Sequence, residues 1–199
     1  IQEDDFARDL TGVQELGDAW QVEGAKCELV AGVLRGSAKS FGRFLRVGSQ
    51  PASPFAAARL QPKSGAAGLC INWAAGTGYV LSIDRKSCTL SRFTDGKKTI
   101  LGRCEVDATA PVAARLSWSE GRLVGRVADR EIVCYDFSAP PRADARRGLF
   151  VAGQADFLDF ESGTEPQDGA TIGTVSGAAQ FVPGEGEGTR RPVVGYVWE

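Results

Sequence analysis

The chain is 199 residues long, 43% apolar and 24% charged, with a formal charge of −2 and a pI near 5.4. These values suit a globular domain with one core, leave no surplus of Lys and Arg for a nucleic-acid partner, and include no run near the roughly 20 apolar residues of a membrane span. The absence of histidine excludes Ser-His-Asp and Cys-His catalysis and His-ligated zinc or non-heme iron within this chain, leaving carboxylate, Lys, Tyr or Cys chemistry.

Short apolar segments punctuated by Gly and Asp predict an all-β chain, a two-sheet antiparallel sandwich. Asp4-Asp5-Phe6 opens the pattern and a loop follows over 10–18. Residues 20–23 and 27–35 read as a hairpin across Gly24, with an irregularity at Gly32, and 41–47 as a further strand. Three alanines give 55–60 some helical propensity, but the Pro-Ala-Ser-Pro before it and the Gln-Pro-Lys-Ser-Gly after it hold it to strand length. Residues 67–73 and 78–84 pair across Ala74-Ala75-Gly76-Thr77. Alternation puts Leu69, Ile71 and Trp73 on one face and Cys70 and Asn72 on the other.

Further on, 88–93 and 98–104 form a hairpin around Asp95-Gly96. A three-stranded meander follows over 113–118, 122–127 and 132–137, and 148–152 and 155–161 close the set. Arg142, Arg146 and Arg147 read as a solvated loop. This gives a sandwich over 1–162 and a Gly/Pro-rich extension over 163–199, whose apolar islands at 170–175, 178–182 and 193–198 are expected to add edge strands. The five cysteines include no C-x-x-C, which argues against a zinc ribbon or thioredoxin-like motif, and their odd number leaves at least one unpaired within the chain. A three-residue loop centred on Gly96 sets Cys88 opposite Cys104, as a cross-strand bridge or as two buried thiols. The chain starts at Ile1 rather than Met, and the expectation is a processed or excised part of a larger extracytoplasmic or secreted protein.

The order of these segments resembles the concanavalin A-like lectin/glucanase jelly rolls, particularly small laminin G-like domains. The resemblance rests on Asp4-Asp5-Phe6, Trp20-Gln21-Val22-Glu23-Gly24, Ala67-Gly68-Leu69-Cys70-Ile71 and Tyr79-Val80-Leu81-Ser82-Ile83-Asp84. It continues through Arg115-Leu116-Ser117-Trp118 with Gly121-Arg122-Leu123, and closes on Gly148-Leu149-Phe150 and Ala155-Asp156-Phe157-Leu158-Asp159-Phe160. It spans residues 4–161 and implies a jelly-roll sandwich.

Three functions follow as expectations. A carbohydrate-binding module would use Trp73 and Tyr79 as aromatic platforms with Arg59, Asn72, Ser82, Asp84, Arg92 and Arg115 as polar partners. Core packing of Trp73, and pairing of the arginines with nearby acids, is the competing reading. A glycoside hydrolase would need an E-x-D-x-x-E-like strand of paired carboxylates. The nearest segment, Asp156 to Glu161, does not match that pattern, although Asp159 and Glu161 would share a strand face. A structural protein-interaction domain is the third expectation. The resemblance also implies a structural Ca²⁺, with Asp159 meeting Asp5 or backbone near Asp5 or Gly24 where first and last strands lie side by side.

Overall fold

A computed structural model describes residues 1–6, 16–137 and 144–165, and among them the chain forms thirteen strands and no helix. They are β1 (Gln2–Asp4), β2 (Trp20–Glu23), β3 (Lys26–Val30), β4 (Val33–Arg46), β5 (Pro54–Ala74), β6 (Thr77–Ile83) and β7 (Ser87–Thr94). They continue as β8 (Lys97–Glu105), β9 (Val112–Ser119), β10 (Arg122–Val127), β11 (Arg130–Tyr135), β12 (Arg146–Phe157) and β13 (Phe160–Thr164). Most of the loop expected over 10–18, the three islands beyond 166 and Arg142 lie outside the described residues.

Every pairing is antiparallel, and three strands are long enough to serve two sheets. The first half of β5 pairs with β9, β13 and the end of β12, whereas its second half pairs with β6 and the earlier part of β12. One sheet therefore runs β11-β10-β9-β5 and on through β13 to β1, and through the ends of β12 and β4 to β3. The other runs β8-β7-β6-β5-β12-β4-β2. This is a jelly-roll sandwich.

At the corner Gly65 and Gly153 are cross-strand partners with φ of 66° and 111°. A Cβ on Gly65 would stand 2.1 Å from the Ala152 carbonyl oxygen, and one on Gly153 would stand 2.2 Å from that of Ser64. Only residues without side chains let the two backbones cross so closely.

Two expectations about local pairing are corrected. The segments 55–60 and 67–73 are one 21-residue strand, because the bend absorbs Pro62 and Gly65 without ending the ladder. No hairpin forms across Gly24: β2 and β3 lie successively along β4, and the tight turn is at Ala31-Gly32, both with positive φ. Gly42 makes room for this path, since a Cβ there would meet that of Ala25 at 2.7 Å.

The interior cluster draws on both sheets, among others Leu34, Phe44, Leu60, Leu69, Ile71, Tyr79, Leu81, Leu116, Leu123 and Phe157, and it includes Trp20 and Trp118. Leu81 packs onto the bare backbone of Gly125, and Ile132 onto that of Gly102, so side chains of one sheet fill places left by the other. Cys88 faces Cys104 as expected, both as free thiols. The route differs: Asp95-Gly96 is a two-residue turn, and an irregularity between Leu90 and Ser91 supplies the missing step.

Candidate functional site

A second apolar cluster lies outside the interior. Leu45, Cys70, Val80 and Phe150 belong to it, while their chain neighbours Phe44, Leu69, Ile71, Tyr79, Leu81, Leu149 and Val151 belong to the interior cluster. Strict alternation therefore places the second cluster on the outer face of the β6-β5-β12-β4 sheet.

Trp73 joins this outer face, not the Leu69/Ile71 face that uniform alternation predicts. Asn72 takes φ 52°, and the β5/β6 register shifts between Ile71 and Ala74, so one residue is spent in a bulge and the alternation after it reverses. Asn tolerates the left-handed region better than most residues. Gln50 holds it there: the Asn72 N–H donates to Gln50 Oε1 at 2.9 Å, and Gln50 Nε2 donates to Asn72 Oδ1.

Around Trp73 the rings interlock. Phe41 stacks on Trp73 at 5.2 Å and 28°, and contacts Phe93 at 5.0 Å and Phe150 at 4.6 Å. The Arg43 guanidinium lies 4.8 Å from the Trp73 ring and 5.1 Å from that of Phe41, and Glu23 holds it at 2.8 Å. Trp73 is thereby only 4% exposed, which is the packed role weighed against sugar stacking. Phe41 and Phe93 are the partly exposed rings of the group. Ser82, two residues from Val80, shares the face, where it pairs with Gly68. Burial pushes the Cys70 thiol up to about 12, so beneath these rings it is a neutral apolar group.

The other expected ligand residues go elsewhere. Tyr79 points inward and donates from its hydroxyl to Asp136 Oδ2 at 3.0 Å, which also accepts from Arg92 at 2.9 Å. Burial, then the Asp136 charge, raises the Tyr79 hydroxyl above its ordinary range, so it remains a donor. Trp73 and Tyr79 thus do not form one platform, because the Asn72 bulge separates their faces. Asp84 closes its own loop, accepting from the amides of Lys86 and Ser87 and from the Ser87 hydroxyl. Burial opposes its charge, but these bonds from Ser87 and Lys86 prevail and hold the carboxyl below its usual range. Arg115 lies over Phe55 and pairs with Glu165 at 2.8 Å, on the opposite sheet.

Arg59 is on that opposite sheet too, and it bears on the expected calcium. Asp5, Asp159, Arg59, Glu3 and Glu161 line one cavity of about 370 Å³. The structure does bring Asp5 and Asp159 together. Both Asp159 oxygens, however, accept from Arg59, one from its amide at 2.6 Å and one from its guanidinium. Although several carboxylates line this cavity, among the described residues no three carboxylate or thiol side chains come together closely enough to hold a metal ion. A hard dication seeks six to eight oxygens, and a carboxylate already neutralised by arginine does not fit that use. Nor do Asp159 and Glu161 share a strand face. The chain leaves the ladder at Leu158-Asp159, where the Leu158 N–H donates to the Arg59 carbonyl. Asp156 lies 3.3 Å from Lys63.

Sequence reasoning missed Phe41, Arg43, Glu23, Phe93 and Phe150. The period-two run Phe41-x-Arg43-x-Leu45, against Phe44 on the other side, carries the signal, but only the fold shows which side is inside. It also missed Asp136, an acid at the inward position of a strand end whose outward neighbours are Tyr135 and Phe137.

Two bent antiparallel sheets joined by strands that serve both define a concanavalin A-like jelly roll, the fold of lectins and glucanases. Among solved structures the chain is similar to the carbohydrate-binding module CBM66 from Bacillus subtilis, with a TM-score of 0.63 and 16% identity over 73% of this chain and 96% of that one. It is similar also to the VIP36 exoplasmic/lumenal domain in its Ca²⁺/Man3GlcNAc-bound form (TM-score 0.55, 12% identity, 74% and 84% covered). The Bacillus licheniformis beta-glucanase gives a TM-score of 0.55 at 10% identity, with 82% and 97% covered. Identities this low speak for the fold alone. No family model and no curated protein matches the sequence.

Proposed function

We propose that this domain is a non-catalytic binding module that takes a carbohydrate on its outer aromatic face, in an extracytoplasmic setting. One observation carries the reading: an aromatic cluster stands outside the interior of the sandwich, where folding alone does not require it. Phe41 and Phe93 offer ring surface to the C–H face of a sugar. Arg43 and the Ser82 hydroxyl offer polar contacts, and Ala66 and Ala152 keep the neighbouring surface low. Trp73 supports this platform from beneath. The carboxylate beside it, Glu23, is committed to Arg43, which favours binding over hydrolysis. Carbohydrate-binding and lectin structures among those of similar fold lend the reading support.

The test is a glycan array on the purified chain, followed by titration of the best ligand against wild type and Phe93→Ala. A ring truncated at a stacking contact costs about 1–2 kcal/mol, so affinity should fall by roughly 5- to 30-fold. No glycan bound, or Phe93→Ala binding as tightly as wild type, refutes the assignment.

A further inference from the structure

We propose that Tyr135, Phe137 and Arg122 form a second site, for an acidic saccharide, that is separate from the outer aromatic face. The expected ligand class is a pyranose bearing carboxylate or sulfate.

The polarity of β11 inverts at its end. Ile132 and Cys134 pack inward, the Cys134 thiol donating to the Leu101 carbonyl at 3.5 Å, and Asp136 takes the next inward place at 8% exposure. Tyr79 and Arg92 hold that carboxylate, so the two aromatic neighbours of Asp136 turn to solvent. Tyr135 is 68% and Phe137 75% exposed, their centroids 6.4 Å apart and their planes within 20°. Val133, on the same side of β11, extends the exposed apolar surface. Folding gains nothing from leaving two such rings in water.

Their place is built. The Asp136 N–H donates to the Gly121 carbonyl at 2.7 Å, fastening the segment to the β9–β10 turn. Phe137 occupies the space a side chain at Gly121 would need, since a Cβ there would stand 2.3 Å from its ring. The rings are therefore seated before any ligand arrives.

Charge selects the ligand. Arg122 is the cross-strand partner of Tyr135 and shares its face. Other arginines of this sheet's outer face have carboxylate partners: Arg35 has Asp156, Arg59 has Asp159, Arg115 has Glu165 and Arg126 has Glu131. Arg122 makes no ion pair with a described residue. A guanidinium beside two parallel rings suits a sugar whose C–H face stacks on aromatic carbon while its anionic group receives a paired hydrogen bond.

Calorimetric titration of the full chain with tetragalacturonate, a heparin tetrasaccharide and neutral cellotetraose tests this. Wild type, Tyr135→Ala/Phe137→Ala, Arg122→Gln and Phe93→Ala are compared, and thermal denaturation verifies that each variant is folded. The expected result is binding of at least one acidic probe, weakened 10-fold or more by Arg122→Gln and by the double variant, and unchanged by Phe93→Ala. Loss on Phe93→Ala instead assigns acidic binding to the outer aromatic face and overturns the proposal. So does acidic binding untouched by the Tyr135/Phe137 change, or no acidic binding at all. Wild-type self-association abolished by that change, without acidic binding, makes the patch an interface between copies and also overturns it. Failure of the outer-face reading shows separately, as Phe93→Ala without effect on a glycan that wild type binds.

Discussion

Asn72 decides where Trp73 goes, and its contribution divides into two parts that substitution separates. The left-handed backbone at φ 52° costs an ordinary L-residue about 1–2 kcal/mol. The side-chain bond from Gln50 contributes about 1 kcal/mol. Asn72→Ala loses both and should destabilise the domain by about 2–3 kcal/mol. Asn72→Gly loses the side-chain bond but suits the backbone, and should cost about 1 kcal/mol. The Asn72 N–H bond to Gln50 Oε1 survives in both. Guanidinium denaturation followed by tryptophan fluorescence measures the two values directly. If alanine and glycine variants lose equal stability, the residue is not there for its backbone conformation. If alanine costs under 0.5 kcal/mol, the bulge does not depend on it at all.

Two further outcomes follow. The Cys70 thiol is pushed from 9.0 to about 12, and Cys88 and Cys134 are also raised, burial leading in each case. Above pH 9 the folded chain holds protons that the unfolded chain has released, so stability is intact below pH 9 and falls as pH rises towards the folded values. The slope is about 1.4 kcal/mol per pH unit for the fully buried Cys70 thiol; thermal midpoints that stay level from pH 9 to 11 would contradict its burial. Gly153→Ala should cost about 3 kcal/mol or more through the clash with Ser64, lowering the midpoint by roughly 10 °C in a domain this size. A midpoint within 2 °C of wild type would mean that the corner is not tightly set.

Most of the strand succession was legible in the sequence, because Gly and Asp turns and period-two apolar runs act locally. Cys88 opposite Cys104 was legible for the same reason, although two departures from regular pairing, a shorter turn and a bulge, had to cancel. The misreadings arose where tertiary geometry overrode a local rule. Pro62 and Gly65 look like a strand end and are a corner, since a strand passing between sheets needs a break in pleat rather than in pairing. Gly24 looks like a hairpin turn and is a step along β4. At the candidate site a single left-handed residue inverted a face, and Trp73 moved with it away from Tyr79. Asp159 looked available for a cation, but nothing local shows that Arg59, one hundred residues earlier, answers it.

Because β4, β5 and β12 each run through both sheets, neither layer can open without pulling hydrogen bonds out of the other. The sandwich has no seam along which it comes apart, and its loss of structure is cooperative across both layers. Any ligand held by one face of the folded chain then protects the opposite face from exposure by the same free energy, RT ln(1 + [L]/Kd), though the two faces share no contact with it.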